Sequence, residues 1–274
     1  MLAHIVANTR FGIPAVTAAD RARWLWRRLQ LRLPDTVCAT LMPHHVHLAM
    51  DPAAARRDRR RLGCILAAFS RRFGLGQLWQ PLPQPTLIQT PDKCRRLIRY
   101  LLLNPCRPTR INERPICLVD DPLKWPWSTH RDAVGAVAQP WVRNRRLAAA
   151  LEVDAAGLDQ WLHRYVSSDP HVAVAGTPPP RAAPATTIPA VPLASIALAA
   201  TAALRLTPDA IRRRGPARRL FVALAIHQGW TDPTVLAQAC GVQAPAIRRL
   251  ARFCPPDWVA AAALCLGDER LLLG

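Results

Sequence analysis

Apolar positions in the first hundred residues switch between a two-residue and a three-to-four-residue period. The run from His4 to Val16 reads as a strand, with Pro14 near its end. Beyond it, Ala22, Leu25, Leu29 and Leu33 share one helical face, and Thr17 stands where a cap is expected. Asp35 to Leu41 and Val46 to Met50 predict two strands, with Pro43 in a tight connection. Residues 53–73 predict an amphipathic helix with Leu62, Ile65, Leu66, Phe69 and Phe73 as its stripe. Pro85 to Thr90 reads as a short strand. Pro91 then opens a helix with Cys94, Leu97, Ile98 and Leu101 on one face, ending near Asn104 because Pro105 follows. The order β-α-β-β-α-β-α predicts an α+β fold of ferredoxin type, an antiparallel sheet with helices.

The pattern changes near residue 173. The run Gly176-Thr-Pro-Pro-Pro-Arg-Ala-Ala-Pro-Ala-Thr-Thr-Ile-Pro189 favours extended, polyproline-like chain. We therefore expect a first domain at 1–172, a loose linker at 173–192 and a helical domain at 193–274. In the last, Pro233 opens a helix after Asp232, with Leu236, Ala237 and Cys240 inward. Gly241 allows a turn, Val242 is expected to be buried, and Ile247 and Leu250 hold a second helix opened by Pro245. That spacing fits a helix-turn-helix and leaves Gln243, Arg248 and Arg249 projecting from the second helix. A small helical bundle with a solvated basic face has the same pattern.

Charge narrows the partner. The 274 residues carry 37 basic and 18 acidic side chains, a net +19. Residues 1–172 contribute 26 − 13 = +13 and residues 173–274 contribute 11 − 5 = +6. A charge of this size points to a polyanion, most often nucleic acid. The apolar half of the composition excludes wholesale disorder. The eight cysteines have neither zinc-knuckle nor redox-dithiol spacing, which fits a reduced cytoplasmic protein. Met1-Leu2-Ala3-His4 does not begin a signal peptide, and the apolar run Ile188 to Leu204 is too short to span a bilayer.

Two local patterns carry chemistry. In Met42-Pro-His-His-Val-His-Leu48, His45 and His47 project from one strand face about 7 Å apart, with Val46 behind them and His44 directed away. Such a pair can grip one ion; a polar strand face of packed histidines has the same sequence. The chain holds only two tyrosines, Tyr100 and Tyr165. Tyr100 and Asn104, four apart, are neighbours on a helix face, and Arg96 shares that flank. Tyrosine can act as a nucleophile, arginine binds phosphate, and the Asn oxygen can complete a metal site. A boundary tyrosine with a capping Asn is the structural alternative.

Together these pieces resemble the HUH single-tyrosine transposases, specifically the REP-associated tyrosine transposases. The matching segments are Met42-Pro-His-His-Val-His-Leu48, Gly76-Gln-Leu-Trp-Gln80, Arg99-Tyr-Leu-Leu-Leu-Asn-Pro-Cys-Arg107 and Asp121-Pro-Leu-Lys-Trp-Pro-Trp-Ser-Thr-His130. They run in the family's order and cover about residues 1–170. Three departures stand out: His44 where Asn is usual, Pro-Leu-Pro-Gln-Pro at 81–85, and the segment Thr-Arg-Ile-Asn-Glu-Arg-Pro-Ile after Arg107.

The resemblance implies His45, His47 and Asn104 as metal ligands, Mg²⁺ or Mn²⁺ as the ion, Tyr100 as nucleophile, and Tyr165 as packing. It implies cleavage and rejoining of single-stranded, hairpin (REP-like) DNA through a 5′-phosphotyrosine, with Arg96 and Arg99 on the DNA. The second part is similar to the C-terminal DNA-binding domain of bacterial replication initiators, with Arg213, Gln243, Arg248 and Arg249 on duplex DNA. It would act as a monomer or homodimer in the bacterial cytoplasm, associated with the nucleoid and without a membrane partner. The alternative function is a catalytically inert, domesticated DNA-binding protein, which the proline-rich stretch at 81–85 would favour.

Overall fold

The computed structural model describes residues 1–111, 114–174 and 177–273. Asn112 and Glu113 of the segment after Arg107, Ala175 and Gly176 at the head of the proline-rich run, and Gly274 lie outside the described residues. The chain divides into two compact units: Met1–Ala133 with Trp141–Thr177, and Val134–Pro140 with Pro178–Gly274.

The first unit is built on strands β1 (Leu2–Asn8), β2 (Thr36–Met42), β3 (His45–Met50) and β4 (Thr86–Ile88). They form an antiparallel sheet in the order β2-β3-β1-β4. Helix α1 (Ala19–Arg32) joins β1 to β2, and α2 (Ala55–Phe73) joins β3 to β4. This is the α+β ferredoxin-type arrangement expected from the element order. Alternation along the strands sorts the side chains by face. Ile5, Ala7, Leu41, Val46 and Leu48 pack against Leu25, Trp26 and Leu29 of α1 and Leu62, Leu66 and Phe69 of α2. From the opposite face, Leu2, Cys38 and Ala49 join Cys94, Ile98 and Leu101 of α3 (Pro91–Leu103). Two further helices, α5 (Asn144–Leu151) and α6 (Leu158–Ser167), extend that layer, and the single-turn α4 (His130–Ala133) precedes them.

Two of the resembling motifs are absorbed by the sheet edges. Leu78 accepts from the Arg10 N–H at 2.7 Å, and Gln80 N–H donates to Asn8 at 2.9 Å, so residues 78–80 continue the sheet beside the end of β1. On the far side, Leu41 N–H donates to Trp127 and Thr129 N–H donates to Ala39, at 2.9 and 3.0 Å. Covering an edge satisfies its backbone groups and blocks pairing with other chains. The proline stretch at 81–85 is held by Arg59, which donates to the Leu82 and Pro83 carbonyls. A short hairpin, β5 (Thr109–Ile111) with β6 (Arg114–Ile116), follows α3.

In the first unit, the first strand and the cap of α1 differ from expectation. The first strand stops at Asn8, and a 3-10 turn follows at Arg10–Gly12, with Phe11 in the left-handed region at φ 56°. The turn lets Val16 N–H reach the Pro43 carbonyl at 3.0 Å, a contact no local periodicity encodes. Thr17 is not the cap of α1: that helix starts after Ala18, and the Thr17 hydroxyl faces the Pro14 carbonyl at 3.5 Å.

The second unit is helical, with α7 (Leu193–Ala203), α8 (Pro216–His227), α9 (Pro233–Cys240), α10 (Ala246–Arg252) and α11 (Pro256–Gly267). Asp232 caps α9 by accepting from Thr234 N–H at 2.7 Å, and Gly241 ends it at φ 65°. Leu236, Ala237, Cys240 and Ile247 are buried as expected; Val242 is only half-buried.

From Pro178 onward the proline-rich run packs within this second unit and is not a loose linker. Ala183 N–H donates to Ala263 and Thr186 N–H to His227, both at 2.9 Å, and Gln228 Nε2 donates to the Pro184 carbonyl at 3.0 Å. The run lacks periodicity but still supplies backbone partners for a folded surface. Gly229, at φ 84°, lies so close that a Cβ would stand 2.5 Å from the Ile188 carbonyl carbon. We expect Gly229→Ala to expose residues 178–192 to protease at concentrations that spare the wild-type chain. Equal resistance in the two proteins would refute this packing.

Candidate active site

The site is assembled on the sheet face that carries α3. The connection between β2 and β3 is the two residues Pro43 and His44, set by the pairing of Met42 with His45. Thr9 N–H donates to the His44 carbonyl at 2.8 Å, so β1 clamps this turn from the neighbouring strand. The clamp fixes the start of β3, and strand alternation then puts His45 and His47 on the same face. Their rings stand edge-to-face with centroids 4.6 Å apart.

Tyr100 comes from the last turns of α3. Its ring meets the His47 ring edge-to-face at 5.6 Å, and the residue remains 41% exposed. Asn104 follows α3 in the 3-10 turn Asn104–Cys106 and is buried. Its Nδ2 lies 3.3 Å from His45 Nε2. The four residues His45, His47, Tyr100 and Asn104 therefore meet at one place, reached from two strands' worth of register and one helix end.

The electrostatics favour uncharged imidazoles. Burial, reinforced by neighbouring His44, pushes His45 down to about 4. Burial, then His45, His4 and His44, pushes His47 down to about 2. At neutral pH both rings hold lone pairs rather than charge, the form in which histidine ligates metals. His47 Nδ1 is 3.2 Å from His4 Nε2, and the two rings are stacked at 5.4 Å. If His47 Nδ1–H donates to His4, His47 Nε2 keeps a free lone pair, the arrangement by which an outer partner sets a ligand's tautomer. Two atoms each about 2.1 Å from one ion stand about 3.0–3.4 Å apart at angles near 90–110°. The separation of Asn104 and His45 matches that spacing once the carboxamide presents its oxygen. The residues present thus fit a small divalent ion. Among the described residues no group of three or more His, Cys, Asp or Glu is arranged for a metal, so a site here depends on the carboxamide.

His44 sits in the turn, its ring 4.6 Å from that of His45 and its Nε2 3.5 Å from Thr109 Oγ1. His4 was not among the candidates from sequence; alternation along β1 places it on this face, but only pairing to β3 brings it to His47. Arg107, whose sequence signal is only its place at the end of the Arg99–Arg107 motif, has its guanidinium carbon 5.3 Å from the Tyr100 ring centre. Arg99 turns instead to Asp169 at 3.1 Å and lies over the Tyr165 ring at 4.6 Å. Arg96 is exposed on α3. In the second unit Arg213, Gln243, Arg248 and Arg249 are all exposed, and Arg213 pairs with Asp209 at 2.6 Å.

No protein-family model and no curated protein matches the chain. Among solved structures it is similar to a REP-associated tyrosine transposase bound to a REP hairpin. The identity is 18%, the match covers 52% of this chain and 84% of that one, and the TM-score is 0.36. Among the described residues no helix is long and apolar enough to cross a membrane.

Burial separates the two histidines. His47 is 5% exposed, and its ring fills the space between His4 and Tyr100, whereas His45 is half-buried. Without metal, His47→Ala should lower unfolding free energy by about 1–3 kcal/mol, and His45→Ala by less. Urea denaturation in chelator measures both; an equal loss would contradict the packing role of His47.

Proposed function

We propose that the chain is a metal-dependent single-strand DNA transposase or nuclease that cleaves and rejoins DNA through a 5′-phosphotyrosine. One observation carries this reading: a partly exposed tyrosine phenol beside two uncharged imidazoles and a carboxamide, in a strongly basic chain. The motif resemblance supplies the substrate class, hairpin-bearing single strands.

His45, His47 and Asn104 would hold Mg²⁺ or Mn²⁺. The ion, when bound, polarises the scissile phosphate and offsets its developing negative charge. Imidazoles bind Zn²⁺ or Ni²⁺ more tightly than Mg²⁺, so availability would select the hard ion. Tyr100 Oη forms a bond to the scissile phosphorus as the bond from phosphorus to the 3′ oxygen breaks. The phenol proton is lost, and the departing oxygen gains a proton to become a 3′-hydroxyl. A 3′-hydroxyl attacking the phosphotyrosine reverses the exchange, so no external energy source is consumed. The role of α3 is to present the phenol at a fixed distance from the imidazoles, which lowers the ordering cost of attack.

Labelled single-stranded hairpin DNA with Mn²⁺ should give a covalent adduct on a denaturing gel. Tyr100→Phe should abolish it while DNA binding persists, and chelator should prevent it. An adduct of normal yield in Tyr100→Phe, or full activity in chelator, would refute the assignment. DNA binding with no adduct under any metal would leave the inert DNA-binding reading.

In the second unit we propose that α9 and α10 read duplex DNA as a helix-turn-helix. The turn at Gly241 and the outward Gln243, Arg248 and Arg249 support this reading. In the full chain, Arg249→Ala should lose roughly 1–3 kcal/mol on a preferred duplex site and relax sequence choice. Arg213→Ala should weaken all sequences about equally. A competition assay at several salt concentrations checks both; equal losses on preferred and random duplex for Arg249→Ala would exclude base readout by that residue.

A further inference from the structure

We propose that Arg107 is the side chain that grips the scissile phosphate beside Tyr100, and that Asp169 is the positioning residue that holds it there. This inference rests on the reading of Tyr100 as the nucleophile.

Three arginines are near enough in sequence to serve: Arg96, Arg99 and Arg107. Arg99 is committed within the protein. Its Nε forms an ion pair with Asp169 Oδ2 at 3.1 Å, and its guanidinium covers the Tyr165 ring, which is stacked in turn on Trp161 at 5.0 Å. For Arg96, exposed on α3, no described contact leads to Tyr100. Arg107 alone has its guanidinium over the Tyr100 ring, at 5.3 Å.

Asp169 explains how Arg107 stays there. Its carboxylate is 4% exposed and lies just beyond the end of α6. Oδ1 accepts from His171 N–H at 2.9 Å, a local turn that fixes the side chain. Oδ2 faces Arg99 at 3.1 Å and Arg107 at 3.8 Å. One carboxylate thus sits between two guanidiniums, and one positive charge is left over. That charge belongs on the Arg107 side, where the contact is longer and the side chain is 32% exposed. Arg107 is also incompletely satisfied: its Nε is buried with no hydrogen-bond acceptor among the described residues.

A phosphodiester completes this arrangement. It carries one negative charge, which matches the surplus. Its two non-bridging oxygens match the fork of a guanidinium. A phosphate placed for attack lies about 3–3.5 Å from the phenol oxygen, and a guanidinium that starts over the same ring reaches it. Asp169 keeps the long Arg107 side chain from wandering into solvent, so less rotamer freedom is lost when the strand arrives.

The test uses the full chain in a Tyr100→Phe background, so that no covalent chemistry intervenes. The probe is a hairpin oligonucleotide with a single-stranded flank, carrying a neutral methylphosphonate at each flank linkage in turn. Affinity should fall about tenfold at one linkage and little at the others. With Arg107→Ala added, that dip should vanish; with Arg107→Lys it should return in part. In chains that retain Tyr100, Arg107→Ala should slow adduct formation roughly 10²–10³-fold at saturating DNA. Asp169→Asn, which keeps an acceptor for His171 N–H but drops the charge, should slow it about tenfold without changing affinity for the hairpin stem. A dip that survives Arg107→Ala in a folded protein, or the lack of any dip, overturns the inference. A dip abolished by Arg107→Ala in a chain that never forms an adduct keeps the phosphate grip and removes the nucleophile reading instead.

Discussion

A buried hydroxyl ties the two halves of the candidate site together. Thr40 is fully buried in the middle of β2 and stands opposite His47 in the ladder. Its Oγ1 donates at 2.8 Å to the carbonyl of Leu101, the residue after Tyr100. The last carbonyls of a helix have no partner inside it, and this one receives both the Thr40 hydroxyl and the Asn104 N–H. One neutral bond contributes only about 1 kcal/mol net. Its position matters more than its strength, because it registers the end of α3 against the strand row that carries His47. The distance between phenol and imidazoles is therefore set by backbone geometry and a short, stiff β-branched side chain.

The same logic explains what was readable in the chain. The stripes of α1, α2 and α3 fall on their buried faces because burial is what selects apolar residues at a helical period. His45 and His47 share a face because a strand alternates, and Asn104 follows Tyr100 because Pro105 ends the helix. The features that escaped a sequence reading all depend on partners far along the chain. His4 reaches His47 only through strand pairing. Arg107 is aimed by Asp169, and nothing near Arg107 announces that carboxylate. Thr17 has the composition of a cap, but the path set by the Val16–Pro43 contact makes Ala18 the boundary.

Charge is distributed unevenly across the first unit. Near Tyr100 it is managed residue by residue, with Asp169 answering two arginines. On the outer side of α1 and α2 it is largely unanswered. Arg57 and Arg61 pair with buried Asp58, while Arg28 and Arg72 lie over Trp24 at 5.3 and 5.8 Å, and Arg21 and Arg72 flank Phe73. Guanidiniums resting on indole and phenyl faces are weakly hydrated and kept extended. The sheet thus has a finely balanced side at the phenol and a diffuse cationic side behind it. Only the first depends on exact placement; the second depends on the number of charges.

The proline-rich run suggests how a segment without periodicity can still be part of a fold. Prolines restrict the chain before it folds, so fewer conformations are surrendered when residues 178–192 settle along α8 and α11. The strap needs no hydrophobic stripe of its own, because its carbonyls and a few amides suffice to tie it down. A domain boundary drawn where periodic helix begins, at residue 193, would therefore sever a belt that belongs to the folded bundle. The excised helices would lose the donors to the Ala263 and His227 carbonyls and the acceptor of Gln228 Nε2, and Gly229 would lie bare. The stretch whose composition most resembles a spacer is thus, from Pro178 onward, part of the second unit's folded surface.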